Sequence, residues 1–274
     1  MKRLGFKKIL ADSIAIAEKD LKLDMRFKIP FFFETIVMPI AVLAPFILVY
    51  FGYFQAGNVY FAGLEKENFV VFLLLGMLSS IALHQGFNNF LDKFLREKYW
   101  QTIEGIAITP INRISLVIGG TINGVISVLP SAVIIFFISQ FFLPTSIAHS
   151  IQILLLLILL LLTSMSLGLV AALTAVFNEN YSPVFRYFII AITFFSCFYY
   201  PISLFDSHPF LALLKPLIEI NPFYHGVTIM RSIWFFGVIP WASFLYVLIF
   251  SIILPFISVF VFNRAWKIFT IQGY

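Results

Sequence analysis

The sequence predicts an all-α integral membrane protein with six transmembrane helices. Of its 274 residues, 61% are hydrophobic and 11% are charged, so the chain has more apolar surface than a soluble domain can bury. Six apolar segments are long enough, at about 1.5 Å per residue, to cross a hydrocarbon core of about 30 Å. They cover residues 31–54, 69–90, 114–143, 150–177, 184–204 and 240–262. We treat residues 1–274 as one transmembrane domain, with the spans in 31–262 and a tail in 263–274.

The N-terminal segment, residues 1–30, is predicted to form an amphipathic helix on the membrane surface. Its apolar residues recur at helical spacing, at Leu10, Ile14, Ala17 and Leu21. Its basic residues are Lys2, Arg3, Lys7, Lys8, Lys19, Lys22, Arg26 and Lys28. Basic side chains beside an apolar face are typical of helices that lie on an anionic leaflet. A basic helix surrounded by solvent is the alternative.

Polar residues inside the first two spans are candidates for a translocation path or gate. Glu34 is the one charged residue of the first span, where Pro39 and Pro45 predict kinks. It either lines a gate or reaches back to the interface and pairs with a basic neighbour. In the second span, polar residues collect at one end, at His84, Gln85, Asn88 and Asn89. They either face a path or form the hydrated end of the helix.

The third and fourth spans carry small residues at four-residue spacing. Gly120 and Gly124 surround Asn123, and the fourth span has Ser164, Gly168 and Ala172. Small residues at this spacing let helices approach closely, so helix packing is the first interpretation. A polar patch around Asn123 in the translocation path is the second.

Residues 91–113 separate the second span from the third and are strongly charged. Apolar residues at helical spacing, Leu95, Tyr99, Ile103 and Ile106, predict a short amphipathic helix over residues 94–107. Asp92 and Lys93 lie four residues before Arg96 and Glu97, which predicts two ion pairs within this helix. Pro110 is expected to end it, because proline lacks an amide donor.

Residues 206–237 contain two apolar pieces, 209–218 and 222–236, that are each too short to span a bilayer. Glu219, Asn221 and Pro222 separate them. We therefore expect a re-entrant or interfacial helical hairpin on the outer side, before the last span. An ordinary surface loop is the alternative.

The basic residues set the predicted orientation. With six spans and the N-terminus inside, the outer segments hold only Lys66, Lys215 and Arg231, and all other Lys and Arg residues are cytoplasmic. This asymmetry follows the positive-inside rule. It places both termini and residues 91–113 in the cytoplasm, and it accounts for the net charge of +5 without nucleic acid as a partner.

Two motifs resemble those of ABC-2 type ABC transporter permeases. The run Gln101-Thr102-Ile103-Glu104, followed by Thr109-Pro110 and preceded by Arg96-Glu97, is similar to the cytoplasmic loop of that family. Gln101 stands where the family usually has glycine. Asn221-Pro222, with Arg231 beyond it, is similar to an element before the family's last span.

The resemblance implies a transmembrane subunit of an ATP-driven exporter in the cell membrane, with two six-span subunits and two separate ATP-binding subunits. A helix between spans two and three would couple this chain to the ATPase. The residues implied in that contact are Arg96, Glu97, Lys98, Tyr99, Trp100, Thr102, Glu104, Thr109 and Pro110. An inner-leaflet helix without a protein partner is the alternative. The resemblance also assigns Asn221, Pro222 and Arg231 to the external hairpin.

Several activities are disfavoured by the sequence. No glycine is followed by lysine, so the chain has no phosphate-binding P-loop, and we expect ATP and Mg²⁺ to bind in the partner subunit. Its four histidines lack zinc-site spacing. The family implies an amphipathic, drug-like cargo or a lipid-linked polysaccharide. An ion-coupled secondary transporter is a further alternative, but it predicts intramembrane charges and internal repeats.

Overall fold

The computed structural model describes residues 6–55, 60–61, 64–102, 105, 109, 111–206 and 209–272. The described chain is helical except for turns and one small hairpin, in which β1 (Tyr60–Phe61) and β2 (Leu64–Glu65) pair antiparallel. The α-helices are α1 (Phe6–Arg26), α2 (Lys28–Phe32), α3 (Met38–Gln55), α4 (Lys66–Tyr99), α5 (Arg113–Phe142), α6 (Ile147–Phe177), α7 (Tyr181–Phe195), α8 (Pro209–Ala212), α9 (Lys215–Glu219), α10 (Pro222–Phe236) and α11 (Trp241–Gln272). A π-helical turn (Phe33–Val37) and a 3₁₀ turn (Ile202–Asp206) complete the set.

Four helices of the described chain, α4, α5, α6 and α11, are long and apolar enough to cross a membrane. They coincide with the second, third, fourth and sixth predicted spans. The helical membrane-protein class is therefore supported. Two of these helices begin at capping residues, since the Asn112 side chain accepts from the Ile114 amide and that of Ser146 accepts from the His149 amide.

Helix α4 lies at the centre of the bundle. It is the most buried of the four long helices, and α6 is the next. Its largest interface is with α6, and α5, α10 and α7 also contact it. The outer faces of α5 and α11 are exposed and rich in phenylalanine and isoleucine, as expected for surfaces that face lipid or another membrane helix.

Small residues allow the close contact between α4 and α6. A Cβ atom added to Gly168 would lie 2.1 Å from the Phe87 carbonyl oxygen, and one added to Gly86 would lie 2.0 Å from the Ser164 hydroxyl. That hydroxyl donates to the Ala82 carbonyl at 2.7 Å. The helix-packing interpretation of the Ser164 and Gly168 pattern is confirmed, and Gly124 likewise approaches Asn89 and Met165.

The first predicted span is an interrupted helix. Helix α2, the π-helical turn and α3 follow one another without a break from Lys28 to Gln55. The wide turn lies just before Pro39, which cannot donate an amide hydrogen bond to the preceding turn. A second proline, Pro45, lies within α3.

The fifth predicted span, 184–204, is wrong as a continuous helix beyond Phe195. Helix α7 has 15 residues, or about 22 Å, which is shorter than a hydrocarbon core of about 30 Å. Cys197 has a φ of 52°, which reverses the chain direction, and Pro201 follows. The apolar sequence continues through this break, so hydropathy alone does not reveal it.

Helix α1 confirms an N-terminal helix, but its buried face differs from the prediction. Ser13, Ile16 and Asp20 are buried beside Ala17, whereas Leu10 and Ile14 are exposed. The buried side packs mainly on α5. Only the first part of the predicted apolar stripe, Leu10 and Ile14, is therefore exposed, and a partly polar face that includes Ala17 binds the bundle.

The segment before α11 consists of the short helices α8 and α9 and the longer α10. The inner side of α10 is buried against α11, α6 and α4. Its Trp234 indole donates to the Leu143 carbonyl at 3.0 Å, where α5 ends. The second predicted limb of the hairpin is therefore part of the bundle core.

The α4–α6 contact predicts that Gly168→Ala destabilises the protein. The added methyl would meet backbone, which must shift, and overpacking of this kind costs about 1–3 kcal/mol. Gly52→Ala on α3 is the matched control, because nothing lies within 4 Å of its Cβ position. Thermal unfolding in detergent should show a lower Tm for Gly168→Ala alone; equal Tm values for both variants would contradict the packing.

Candidate functional site

Charged side chains join α1 and α7 to the last turns of α4. We call them the charged cluster, which consists of Lys19, Asp20, Asp24, Asp92, Lys93, Arg96, Glu97, Lys98, Glu179 and Arg186. The ion pairs are Lys19–Glu97 (2.6 Å), Lys93–Asp20, Arg96–Asp24 (3.0 Å), Lys98–Glu179 (2.8 Å) and Arg186–Asp92 (2.9 Å). The two predicted pairs within α4 are therefore wrong. Their charges instead reach other helices, because α4 is surrounded by neighbours at this end.

The Lys93–Asp20 pair is the most buried of the cluster. The Asp20 side chain is 0% exposed and that of Lys93 is 8% exposed. Each charge would cost several kcal/mol if left alone in such a site, so the two groups must remain together. This ion pair therefore holds α1 against α4, because separating the helices would leave each charge buried without its partner.

Asp24 extends this connection to α5. Its carboxylate accepts from Arg96 at 3.0 Å and, with the other oxygen, from the Asn123 amide at 3.0 Å. Asn123 is 3% exposed. One carboxylate on α1 therefore joins α4 and α5 at the level of the charged cluster.

Lys98 fixes the end of α4 to the end of α6. It donates to the Val176 carbonyl at 2.8 Å, where a cation is favoured by the helix dipole. Its hydrogen bond to Glu179, together with its charge, lowers the pKa of that carboxyl below its ordinary value. Glu179 consequently remains ionised at neutral pH, and it also accepts from Tyr99 at 3.4 Å.

The predicted coupling helix over residues 94–107 is wrong in its first part; Gly105 is helical, and residues 103–104 and 106–108 lie outside the described residues. Residues 94–99 are the last turns of α4, which ends before Gln101, a residue with a φ of 55°. The Gln101 amide donates to the Lys98 carbonyl and the Thr102 amide to that of Glu97, the Schellman pattern of helix ends. Glycine is favoured at this position, which is where the resembled family has it. Pro110, the predicted end of the coupling helix, lies outside the described residues.

The coupling residues named from the sequence fall into two groups. Arg96, Glu97 and Lys98 are bound within the chain, and Glu97 is 5% exposed. Tyr99 and Trp100 are 64% and 51% exposed. Thr102 and Thr109 are exposed as well, and Glu104 and Pro110 lie outside the described residues.

The exposed end of α4 is thus aromatic. The Arg96 guanidinium lies 5.7 Å from the centre of the Trp100 ring, which steadies the indole without covering it. We call Tyr99 and Trp100 the aromatic tip of α4. It is the part of this helix that another protein can reach.

A cavity of about 810 Å³ lies along α4 between the charged cluster and the middle of the bundle. Four of the five predicted path residues line it, namely His84, Asn88, Asn89 and Asn123. The fifth, Glu34, has a side chain outside the described part of the molecule. Three of the four lie on α4, at spacings that keep them on one side of the helix.

Two of these lining side chains are held by neighbours. His84 and the Thr193 hydroxyl are 2.9 Å apart, and the Asn89 amide donates to the Gly120 carbonyl at 2.9 Å. Other residues that line the cavity are apolar and include Phe27, Phe31 and Met77. The cavity can therefore receive a molecule with both polar and apolar parts.

The Asn221…Arg231 element supports the break after α7. The Asn221 amide donates to the Ile192 carbonyl at 3.2 Å and to the Ser196 hydroxyl at 2.9 Å, and its oxygen caps α10 at the Phe223 amide. Arg231 donates to the Phe198 carbonyl at 2.6 Å and to that of Cys197 at 3.1 Å. Asn221 thus satisfies a carbonyl that α7 leaves open at its end, and Arg231 satisfies carbonyls of the turn that follows it. Pro222 occupies the first turn of α10, where its missing amide costs little.

Sequence reasoning missed the partners of α4. Asp20, Asp24, Glu179 and Arg186 were not selected as site residues. One signal is available, since Asp20 and Asp24 are four residues apart and therefore lie on one side of the helix. Such a pair favours cations on a neighbouring helix.

Within the described residues, no group of three or more His, Cys, Asp or Glu side chains could hold a metal ion. No protein-family model matches the chain, and no curated protein is similar to it in sequence.

The buried pair predicts that Lys93→Met is strongly destabilising, because it leaves the Asp20 carboxylate buried without its main partner. We expect a loss of about 3–5 kcal/mol in the free energy of unfolding, most of which returns in the double variant Asp20→Leu/Lys93→Met. Lys22→Met is the control, since the exposed Lys22–Glu18 pair is worth less than about 1 kcal/mol. Detergent unfolding titrations measure all three. A cost for Lys93→Met no larger than that for Lys22→Met would contradict the role of this pair.

Proposed function

We propose that this chain is the membrane-spanning permease subunit of an ATP-driven exporter of the ABC-2 type. The observation that carries the proposal is the aromatic tip, an exposed Tyr99-Trp100 pair at the end of a helix that is mostly buried. It lies directly beside the loop whose sequence resembles the family's coupling region. In this proposal a separate ATP-binding subunit docks on the tip and on the residues that follow it.

Helix α4 transmits the force. The aromatic tip contacts the ATPase, and His84, Asn88 and Asn89 on the same helix line the cavity. Closure of the ATPase dimer on ATP and Mg²⁺ presses the tip and tilts α4. Because the charged cluster fixes α1 and α7 to α4, these helices move together, and the cavity changes between inward-open and outward-open states.

Two permease copies form the transporter, either as a homodimer or with a related permease. The exposed apolar faces of α5 and α11 supply surfaces for the second copy and for lipid. The assembly lies in the cell membrane with both termini in the cytoplasm. The segment 206–237 shapes the outer exit as a re-entrant hairpin, and Asn221 and Arg231 hold it to α7.

The cargo is an amphipathic molecule, either drug-like or lipid-linked. The cavity supports this choice because polar side chains on α4 and α5 face apolar ones from α3 and the segment after α1. A secondary transporter would instead predict charges inside the spans and internal repeats. Each charged residue that lines this cavity has an ion-pair partner.

Trp100→Ala should weaken the binding of the ATP-binding subunit encoded beside this chain. Exposed tryptophans at the centre of interfaces contribute about 2 kcal/mol or more, so we expect a loss of affinity of roughly 30-fold. The measurement is the retention of the ATPase on immobilised permease, together with stimulated ATP hydrolysis.

Trp241→Ala is the matched control, because Trp241 is similarly exposed (65%) at the start of α11. Both variants should insert normally. Equal retention of the ATPase by Trp100→Ala and Trp241→Ala would remove the tip from the interface. No association with the parent chain would favour an ion-coupled transporter over the exporter.

A further inference from the structure

The cavity along α4 contains several buried polar atoms that have no hydrogen-bond partner within the described residues. They are Gln85 Oε1, Asn123 Oδ1, Ser127 Oγ and Arg96 Nε. All four residues line the same cavity. Unsatisfied buried polar atoms are rare and costly in folded proteins, so their concentration here indicates a site that a ligand or water completes.

The orientation of Asn123 is fixed by its neighbour. Its amide nitrogen donates to the Asp24 carboxylate at 3.0 Å, and the amide oxygen could not take that place without repelling the carboxylate. The oxygen is therefore the free group, and it can only accept. Gln85 Oε1 is a second free acceptor, so the missing ligand must bring hydrogen-bond donors.

The charges of the cavity exclude a strongly ionic ligand. Arg96 is paired with Asp24, Arg186 with Asp92, and Lys93 with the buried Asp20. A cationic headgroup would find no unpaired carboxylate among the described lining residues, and an anionic headgroup at the free Nε of Arg96 would lie close to the Asp24 carboxylate on the same guanidinium, so either would disturb an ion pair. A neutral group with hydroxyl or amide donors satisfies the free acceptors and leaves the pairs intact.

The other walls supply the apolar half of the site. Phe27, Phe31, Val42, Met77 and Ile81 line the cavity opposite or beside the polar atoms. Its volume of about 810 Å³ lies in the usual range for small-molecule sites. An apolar chain can pack on this wall while a headgroup reaches Gln85, Asn123 and Ser127.

We propose that this cavity is a binding site for a neutral amphiphile whose headgroup carries several hydroxyl or amide donors, as in a glycosylated lipid-like molecule. The existence of this binding site does not depend on the proposed function. Only the identification of the bound molecule as the cargo rests on it. Water occupies the polar wall in the absence of ligand, and the headgroup replaces its hydrogen bonds on binding.

The test uses the purified full chain in nanodiscs, without any ATPase, and a dodecyl glucoside that carries a photo-reactive diazirine in its alkyl chain. We expect saturable labelling of the peptides that contain Phe27, Phe31 and Val42 or Met77 and Ile81, because the diazirine is carried by the alkyl chain. Unlabelled dodecyl glucoside should compete at least about tenfold better than dodecyl sulfate or dodecyltrimethylammonium, because only the neutral headgroup leaves the ion pairs intact. Glucose alone should not compete.

Ser127→Ala and Gln85→Leu should each lower the affinity for the glucoside about five- to tenfold. Ser127→Ala removes a hydroxyl that has no hydrogen-bond partner among the described residues, so the stability of this variant should not fall. Ser131→Ala, on the same helix but outside the cavity lining, is the control and should bind normally. Equal competition by all dodecyl compounds, competition by glucose, or labelling elsewhere would overturn the inference, whether or not an ATPase partner is found.

Discussion

The buried pair between Asp20 and Lys93 constrains the rest of the structure. A carboxylate and an ammonium group that are both nearly inaccessible must stay in contact, because either one alone in that environment costs several kcal/mol. This requirement holds α1 against α4. The outer pairs, Lys19–Glu97 and Arg96–Asp24, are more exposed and contribute less, but they fix the rotation of α1 about its axis.

This constraint gives α4 its proposed role. The helix is buried along most of its length, packs on α6 through glycine, and ends in two exposed aromatic residues. Between the charged cluster and the glycine contacts it lines the cavity. A push at Tyr99 and Trp100 therefore reaches the cavity walls through one stiff element, and α1 follows because it cannot separate from Lys93.

The sequence predicted the long helices well and their ends poorly. Hydropathy located α4, α5, α6 and α11, because lipid-length apolar runs leave few alternatives. It failed at Phe195, since the break after α7 depends on Asn221 and Arg231 far along the chain. It failed again at residues 94–99, which continue α4 up to the left-handed Gln101, because helical periodicity in the sequence runs on across that residue. The charges of α4 were assigned to local pairs, because a helix pattern alone cannot show that α1 and α7 lie beside it. The side chains predicted to line a translocation path do share one cavity, apart from that of Glu34, which lies outside the described part of the molecule.

The most direct test of this account is a spin-label distance between α1 and the tip of α4. Nitroxides attached to cysteines at Lys22 and Trp100 would report whether the two helices form one body, and the buried Cys197 should remain unlabelled. We predict a single narrow distance distribution in nanodiscs that broadens when Lys93→Met is introduced. A broad distribution in the parent chain would contradict the claim that the buried ion pair fixes α1 to α4.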